Sequence, residues 1–184
     1  MMRARDVAAY IVKLQPTVKQ TALHKLLYYT QAWSLAWDGV VLFPDKIEAW
    51  TQGPVVRDVW ERNQRHWLFD DLGDLNKVQP DAQGVIGAVF DFYGQMPVAT
   101  LVERTHSEQP WLEARKGLGP CASSTNAVER SAMRTFYADL SLRSTDVPKR
   151  PASFIVEAQA VDVAEARNRQ IRKWTTTLDW LAIR

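Results

Sequence analysis

Three histidines, one cysteine and a short run of aspartates are the side chains of this 184-residue chain that could do chemistry. His24, His66 and His106 stand too far apart for metal-ligand spacing, from one another and from Cys121, so no zinc site is expected. Cys121 and His106, 15 residues apart, could act as nucleophile and base, but no motif supports the pair and a bystander loop cysteine is the simpler reading. Asp70, Asp71 and Asp74 could touch a divalent ion, but a solvated loop is by far the favoured reading. TQGPVV places backbone N–H groups at a candidate helix start, a weak anion site shared by every helix. No Gly-rich phosphate loop and no GxSxG elbow occurs. The chain is therefore expected to be no enzyme and to carry no cofactor or metal.

The elements that would position any site are mostly helical. Val7, Ile11 and Leu14 predict a helix over Asp6–Leu14, ended by Pro16. KLLYYTQAWSLAWDG lies in a helix over Thr21–Trp37, with Asp38-Gly39 as its stop. Ile47–Trp50 reads as a short strand. Pro54 then suits a first helical position, for a helix over Val55–His66. Further helices are predicted over Asp81–Tyr93, Val98–Thr105 and Pro110–Lys116. Asn126 with Glu129 three residues later is a capping-box start for a last helix running to about Leu140. The fold class is mainly α, a compact bundle of about seven helices over 4–142 with one short strand near 47–50. Residues 143–152 hold two prolines and read as a linker; 153–184 form a basic C-terminal extension whose pattern fits a strand leading into a helix, or a helix alone.

Charge follows this division. The chain carries 23 basic and 21 acidic residues, a net of +2, and supplies no strong field for nucleic acid. Residues 143–184 carry a net of +3, which keeps a phosphate-binding tail open as a rival reading. One cysteine excludes an intramolecular disulfide and suits a reducing compartment. No signal peptide or membrane-spanning run is evident, so a cytoplasmic protein without membrane contact is expected. Eight tryptophans raise the odds of an aromatic contact surface.

Three motifs occur in one order: KLLYYTQAWSLAWDG, LFPDKIEAWTQGPVVRDVW and LVERTHSEQPWLEAR. Over about residues 4–140 they resemble the Panacea-domain family, which includes the SocA-type antitoxins. The matching positions include Lys25, Tyr28, Tyr29, Gln31 and Trp33, then Glu48, Trp50, Gly53 and Pro54, then His106, Trp111 and Arg115. The resemblance implies a bacterial or prophage type II antitoxin that binds a cognate protein toxin directly, as a hetero-oligomer. It implies no enzymatic role. Because the family serves toxins of unrelated kinds, the shared positions need not be the ones that contact the toxin. An adaptor delivering a bound protein to a protease, or a nucleic-acid-binding regulator using the basic tail, are the alternatives.

Within the motifs, the helix bearing the tyrosines is apolar nearly all round. It is expected to be a central core helix, with the side bearing Tyr28, Ala32 and Leu35 left open between core and partner surface. Glu48 needs a cation or donors if buried, and Arg115, His106 or Lys25 are the expected partners. Beyond the motifs, Arg169, Arg172, Lys173, Trp174 and Trp180 are the candidate toxin-contacting residues of the tail, since arginine and tryptophan anchor interfaces.

Overall fold

The computed structural model describes residues 1–65 and 72–152, with side chains left out at 63–65. Seven α-helices and a two-stranded hairpin follow in the order α1 (Ala4–Leu14), α2 (Gln20–Asp38), β1 (Ile47–Trp50), β2 (Gly53–Val56), α3 (Arg57–Arg65), α4 (Pro80–Tyr93), α5 (Val98–Ser107), α6 (Gln109–Ala114) and α7 (Arg130–Arg143). The class is mainly α, as the sequence leads one to expect. Met1–Pro151 form one compact unit and Ala152–Arg184 a second. The described residues belong almost wholly to the first.

Helix α2 is the axis. It packs against α1, α4, α5, α7 and β2, and every residue from Ala22 to Leu35 is buried. Tyr28, Ala32 and Leu35 are as covered as the leucine stripe opposite them. The side left open by the sequence is therefore core. Leu23, Leu26 and Leu27 fill its interior together with Val7, Ile11, Ile86, Val89 and Leu101. Gly39 at φ 69° ends α2, its N–H donating to Leu35 O.

The sequence misreads two places. GPVV is strand, not helix. Pro54 lies opposite Ala49, flanked by the pairs Trp50–Gly53 and Glu48–Val55, and a proline is tolerated in a strand where the ladder asks for no N–H. Neither Thr51 nor Gln52 has positive φ, so Gly53 at 97° takes the left-handed step that closes the hairpin. Helix α7 starts at Arg130 rather than Asn126. Residues 126–128 are drawn out as an extended segment along β1: Ala49 N–H donates to Asn126 O (2.9 Å) and Val128 N–H to Ile47 O (2.8 Å). The Asn126 amide donates to Ala114 O instead of capping a helix. In both places tertiary pairing overrides the local signal.

The stretch read as a linker is docked. Pro148 is buried, Val147 packs on the core, Asp146 pairs with Arg104 at 3.0 Å and Arg150 with Asp38. The extension 153–184 lies outside the described residues.

Asp6 holds the first turn of α1 to the loop before α4. Its Oδ2 accepts the Arg3 N–H at 2.8 Å and its Oδ1 the Asp74 N–H at 2.9 Å. Gly73 makes the approach possible, since a Cβ there would meet Arg5 O at 2.4 Å. Replacing Asp6 with alanine orphans two donors at once and is expected to cost about 2 kcal/mol, read as a lowered denaturation midpoint with an unchanged slope.

Candidate functional site

The motif residues converge where α2, the hairpin and the α5–α6 corner meet. Lys25 is only 1% exposed, and its ammonium donates to Pro54 O at 3.3 Å. Burial pushes its amine down to about 7. A Cβ on Gly53 would sit 2.7 Å from Lys25 Cε and Nζ and 2.9 Å from Thr105 Oγ1. Gly53 is thus required both for its backbone angle and for the space that Lys25 occupies.

Glu48 does not pair with Arg115, His106 or Lys25. It accepts from Arg57 Nη2 at 2.8 Å and from Trp50 Nε1 at 2.8 Å. Arg57 also lies over the Trp50 ring, 5.4 Å from its centre, and Trp60 meets that ring edge-on. The reason is the hairpin: the fold back through β2 brings Arg57, at the start of α3, across to Glu48. Burial raises the Glu48 carboxyl, but Arg57 and Trp50 more than offset it, and the group is held below the usual carboxylate range. Arg57 is 43% exposed, so this is a pair at the rim and not the deep pair the sequence suggests.

Arg115 is buried and spends its guanidinium on backbone carbonyls. Nη1 donates to Ala49 O at 3.0 Å and Nη2 to Ala122 O at 2.8 Å. It thereby fastens β1 to the loop after α6. His106 stacks on Trp111 with ring centres 4.2 Å apart, and Trp111 Nε1 donates to Trp50 O at 3.2 Å. Burial and the neighbouring Lys25 and Arg115 charges lower the His106 imidazole. Cys121 is an exposed thiol. Among the described residues no three metal-binding side chains gather.

A second cluster lies deeper on α2, and the sequence did not single out its centre. Glu108, at the junction of α5 and α6, is 9% exposed. Its Oε2 accepts the Tyr137 hydroxyl at 2.6 Å and its Oε1 the Tyr29 hydroxyl at 3.2 Å. Tyr29 stacks face to face on Tyr93 at 3.9 Å, and Tyr93 accepts Trp33 Nε1 at 3.2 Å. Burial pushes the Tyr29 and Tyr137 hydroxyls well above their ordinary range, and the nearby carboxylate adds to this. The Tyr28 hydroxyl is buried in the same cluster without a hydrogen bond among the described residues. Gln31 Oε1 accepts the Phe43 N–H at 3.2 Å. The one signal for Glu108 was its place between two helices in THSEQPW. Its partners Tyr29 and Tyr137 are 79 and 29 residues away, beyond any local pattern. Arg169, Arg172, Lys173, Trp174 and Trp180 lie outside the described residues.

Fold and site together define a helical domain built round one buried helix, with a β-hairpin clamped to it. The family model of the antitoxin SocA-like Panacea domain matches residues 23–112, and this stretch, from α2 to the middle of α6, is similar to that antitoxin-like family. Arg115 and Tyr137 stand beyond the matched residues. Nothing matches among the curated proteins, and nothing among solved structures. No single described helix is long and apolar enough to cross a membrane.

Two substitutions test this framework. Gly53→Ala forces a Cβ onto Lys25 at a left-handed angle and is expected to cost about 3 kcal/mol, measured by chemical denaturation. Burial drives the Glu108 carboxyl from 4.5 up to about 7. Between these values the folded state binds more protons than the unfolded one, so this group's contribution to stability falls as pH rises through that window. Glu108→Gln removes the slope. The variant is expected to gain on the parent by on the order of 3 kcal/mol between pH 4.5 and 7. His24, lowered by burial to about 3, gives the opposite slope up to 6.5, so the difference between variant and parent is the quantity to measure. A difference that stays flat with pH would show that Glu108 does not titrate in this range.

Proposed function

We propose that this protein is the antitoxin of a type II toxin–antitoxin pair, non-enzymatic, and that it neutralises a cognate protein toxin by binding it. The Panacea match supports the antitoxin role. The observation that carries the non-enzymatic part is how the motif side chains are spent. Lys25 bonds the Pro54 carbonyl, Arg115 bonds four carbonyls, Glu48 is taken up by Arg57 and Trp50, and the Tyr29 hydroxyl by Glu108. A catalytic constellation needs a nucleophile or base facing a place where substrate can sit. Here these four motif groups face other parts of the protein. That is how a binding scaffold is built: rigid inside, so that its surface is presented in one shape.

The segment 153–184 is the proposed capture element for the toxin. It holds Arg169, Arg172, Lys173, Trp174 and Trp180, residue types that anchor interfaces. The compact unit of Met1–Pro151 closes its own core before that segment begins.

The test is growth rescue with the neighbouring reading frame as toxin. Co-expression of the full chain is expected to restore growth of cells expressing that frame, with the two proteins co-purifying. A chain ended after Ala152 is expected to melt cooperatively and to lose rescue. Full protection by the shortened chain would remove the capture role of 153–184. Harm that the full chain cannot suppress would remove the antitoxin reading for that pair.

A further inference from the structure

The extended segment 126–128 has one edge in use and one edge without a partner among the described residues. Glu48 and Ala127 face each other across an antiparallel bridge, and the flanking bonds run from Ala49 N–H to Asn126 O and from Val128 N–H to Ile47 O. That pattern turns the backbone groups of Asn126 and Val128 toward β1 and those of Ala127 away from it. Ala127 is half-buried, and neither its N–H nor its C=O has a hydrogen bond among the described residues. An open strand edge calls for another strand.

Two hollows lie along this part of the chain, one at the segment and one at the residues just before it. One, of about 480 Å³, has Trp50 and Arg57 on one side and Ser123 to Thr125 on the other. The second, of about 270 Å³, is lined by Gln31, Lys46, Ile47, Ala127, Arg130 and Met133, among others. Gln31 is 1% exposed and brings to this hollow a buried donor with no acceptor among the described residues, its Nε2. The Phe43 N–H occupies its Oε1 and so fixes which way the amide points. A buried unpaired donor costs free energy until an acceptor arrives. The charges agree. Lys46 bonds Thr125 O at 2.6 Å and lies 4.0 Å from Glu48, whose carboxylate Arg57 holds more closely at 2.8 Å, and Arg130 bonds Pro44 O at 2.6 Å. Of the two acids that line the hollow, Asp45 is held by Arg3 at 2.7 Å and Glu129 remains.

We propose that the open edge at Ala127 receives an extended, acidic segment of a partner protein as an added strand. Its backbone pairs with the Ala127 N–H and C=O. A carboxylate enters the smaller hollow toward Gln31 Nε2, Lys46 and Arg130. An apolar side chain rests against Trp50 in the larger one. Backbone pairing supplies affinity, and the two hollows select the side chains. The identity of the natural partner as the toxin rests on the antitoxin reading; the capacity of the edge does not.

The experiment therefore needs no toxin to begin. Random linear peptides displayed on phage are selected against the full chain, then synthesised and titrated. Selected peptides are expected to be rich in aspartate or glutamate beside β-branched residues, and to protect the Ala127 amide from hydrogen exchange. Their affinity is expected to fall about tenfold in Ala127→Pro, which removes the outward donor, and about tenfold in Lys46→Glu. Both variants are checked by melting. If Ala127→Pro does not fold, protection in the unaltered chain decides. Peptides that are basic or leave Ala127 unprotected, a selection that yields none, or an edge already covered by a second copy of the chain would overturn the proposal. The toxin is then tried in the same exchange measurement. Peptides that protect Ala127 while no toxin binds support the edge and remove the antitoxin reading. Toxin binding that leaves Ala127 unchanged overturns the edge and leaves that reading intact.

Discussion

A helix with no solvent face can satisfy its polar groups only from within the protein. Helix α2 is buried from Ala22 to Leu35, yet that run contains His24, Lys25, Tyr28, Tyr29, Thr30, Gln31 and Ser34. Each buried polar group without a partner costs free energy on the order of 1–3 kcal/mol. Much of the surrounding fold reads as the delivery of those partners. Strand β2 brings the Pro54 carbonyl to Lys25, and the α5–α6 corner brings Glu108 to Tyr29. The chain after α2 brings the Phe43 N–H to Gln31 and the Val40 carbonyl to Ser34. Thr30 alone is served from within the helix, by Leu26 O. The three sequence motifs travel together because they meet around this one helix.

The hairpin shows how tightly the requirement is drawn. Lys25 can bond Pro54 O only if that carbonyl points away from β1, which follows from the register of Pro54 opposite Ala49. The same register asks for no N–H at Pro54 and for a left-handed residue at Gly53. With no side chain on Gly53, the lysine lies directly against the turn. Arg115 and Trp111 then fix the other strand from behind, through Ala49 O and Trp50 O. Glycine, proline, lysine, tryptophan and arginine at these positions are answers to one geometric problem.

What was legible in the sequence follows from the range over which each signal acts. Helices α1, α2, α4 and α5 declare themselves by local periodicity and by Pro or Gly punctuation. So does the strand at Ile47–Trp50. Most motif positions are buried, but a motif says which residues recur and not what they touch. Alone, a proline after a glycine suits a helix start; only the pairing with β1 makes Pro54 a strand residue. The cation that holds Glu48, Arg57, is hidden from the sequence because it comes within reach only when the hairpin folds back. Glu108 was passed over because its role exists only in three dimensions, where tyrosines from α2 and α7 close over it.

This division between inside and outside separates the residues that hold the fold from those the surface presents. Had Lys25, Tyr29, Glu48 and Arg115 pointed outward, a change of partner would demand a change at the very residues that hold the fold. Because their polar atoms are spent internally, the surface beside them is free to vary without loosening α2. The open edge at Ala127 sits next to this framework: its register is set by Ala49 and Ile47, which Arg115 and the hairpin hold in place. A backbone edge positioned by buried residues offers the same hydrogen bonds to any extended chain. Selectivity then falls to the side chains lining the hollows, where substitution costs the core least. In that arrangement stability and specificity are carried by different residues, and α2 links them by holding the edge still.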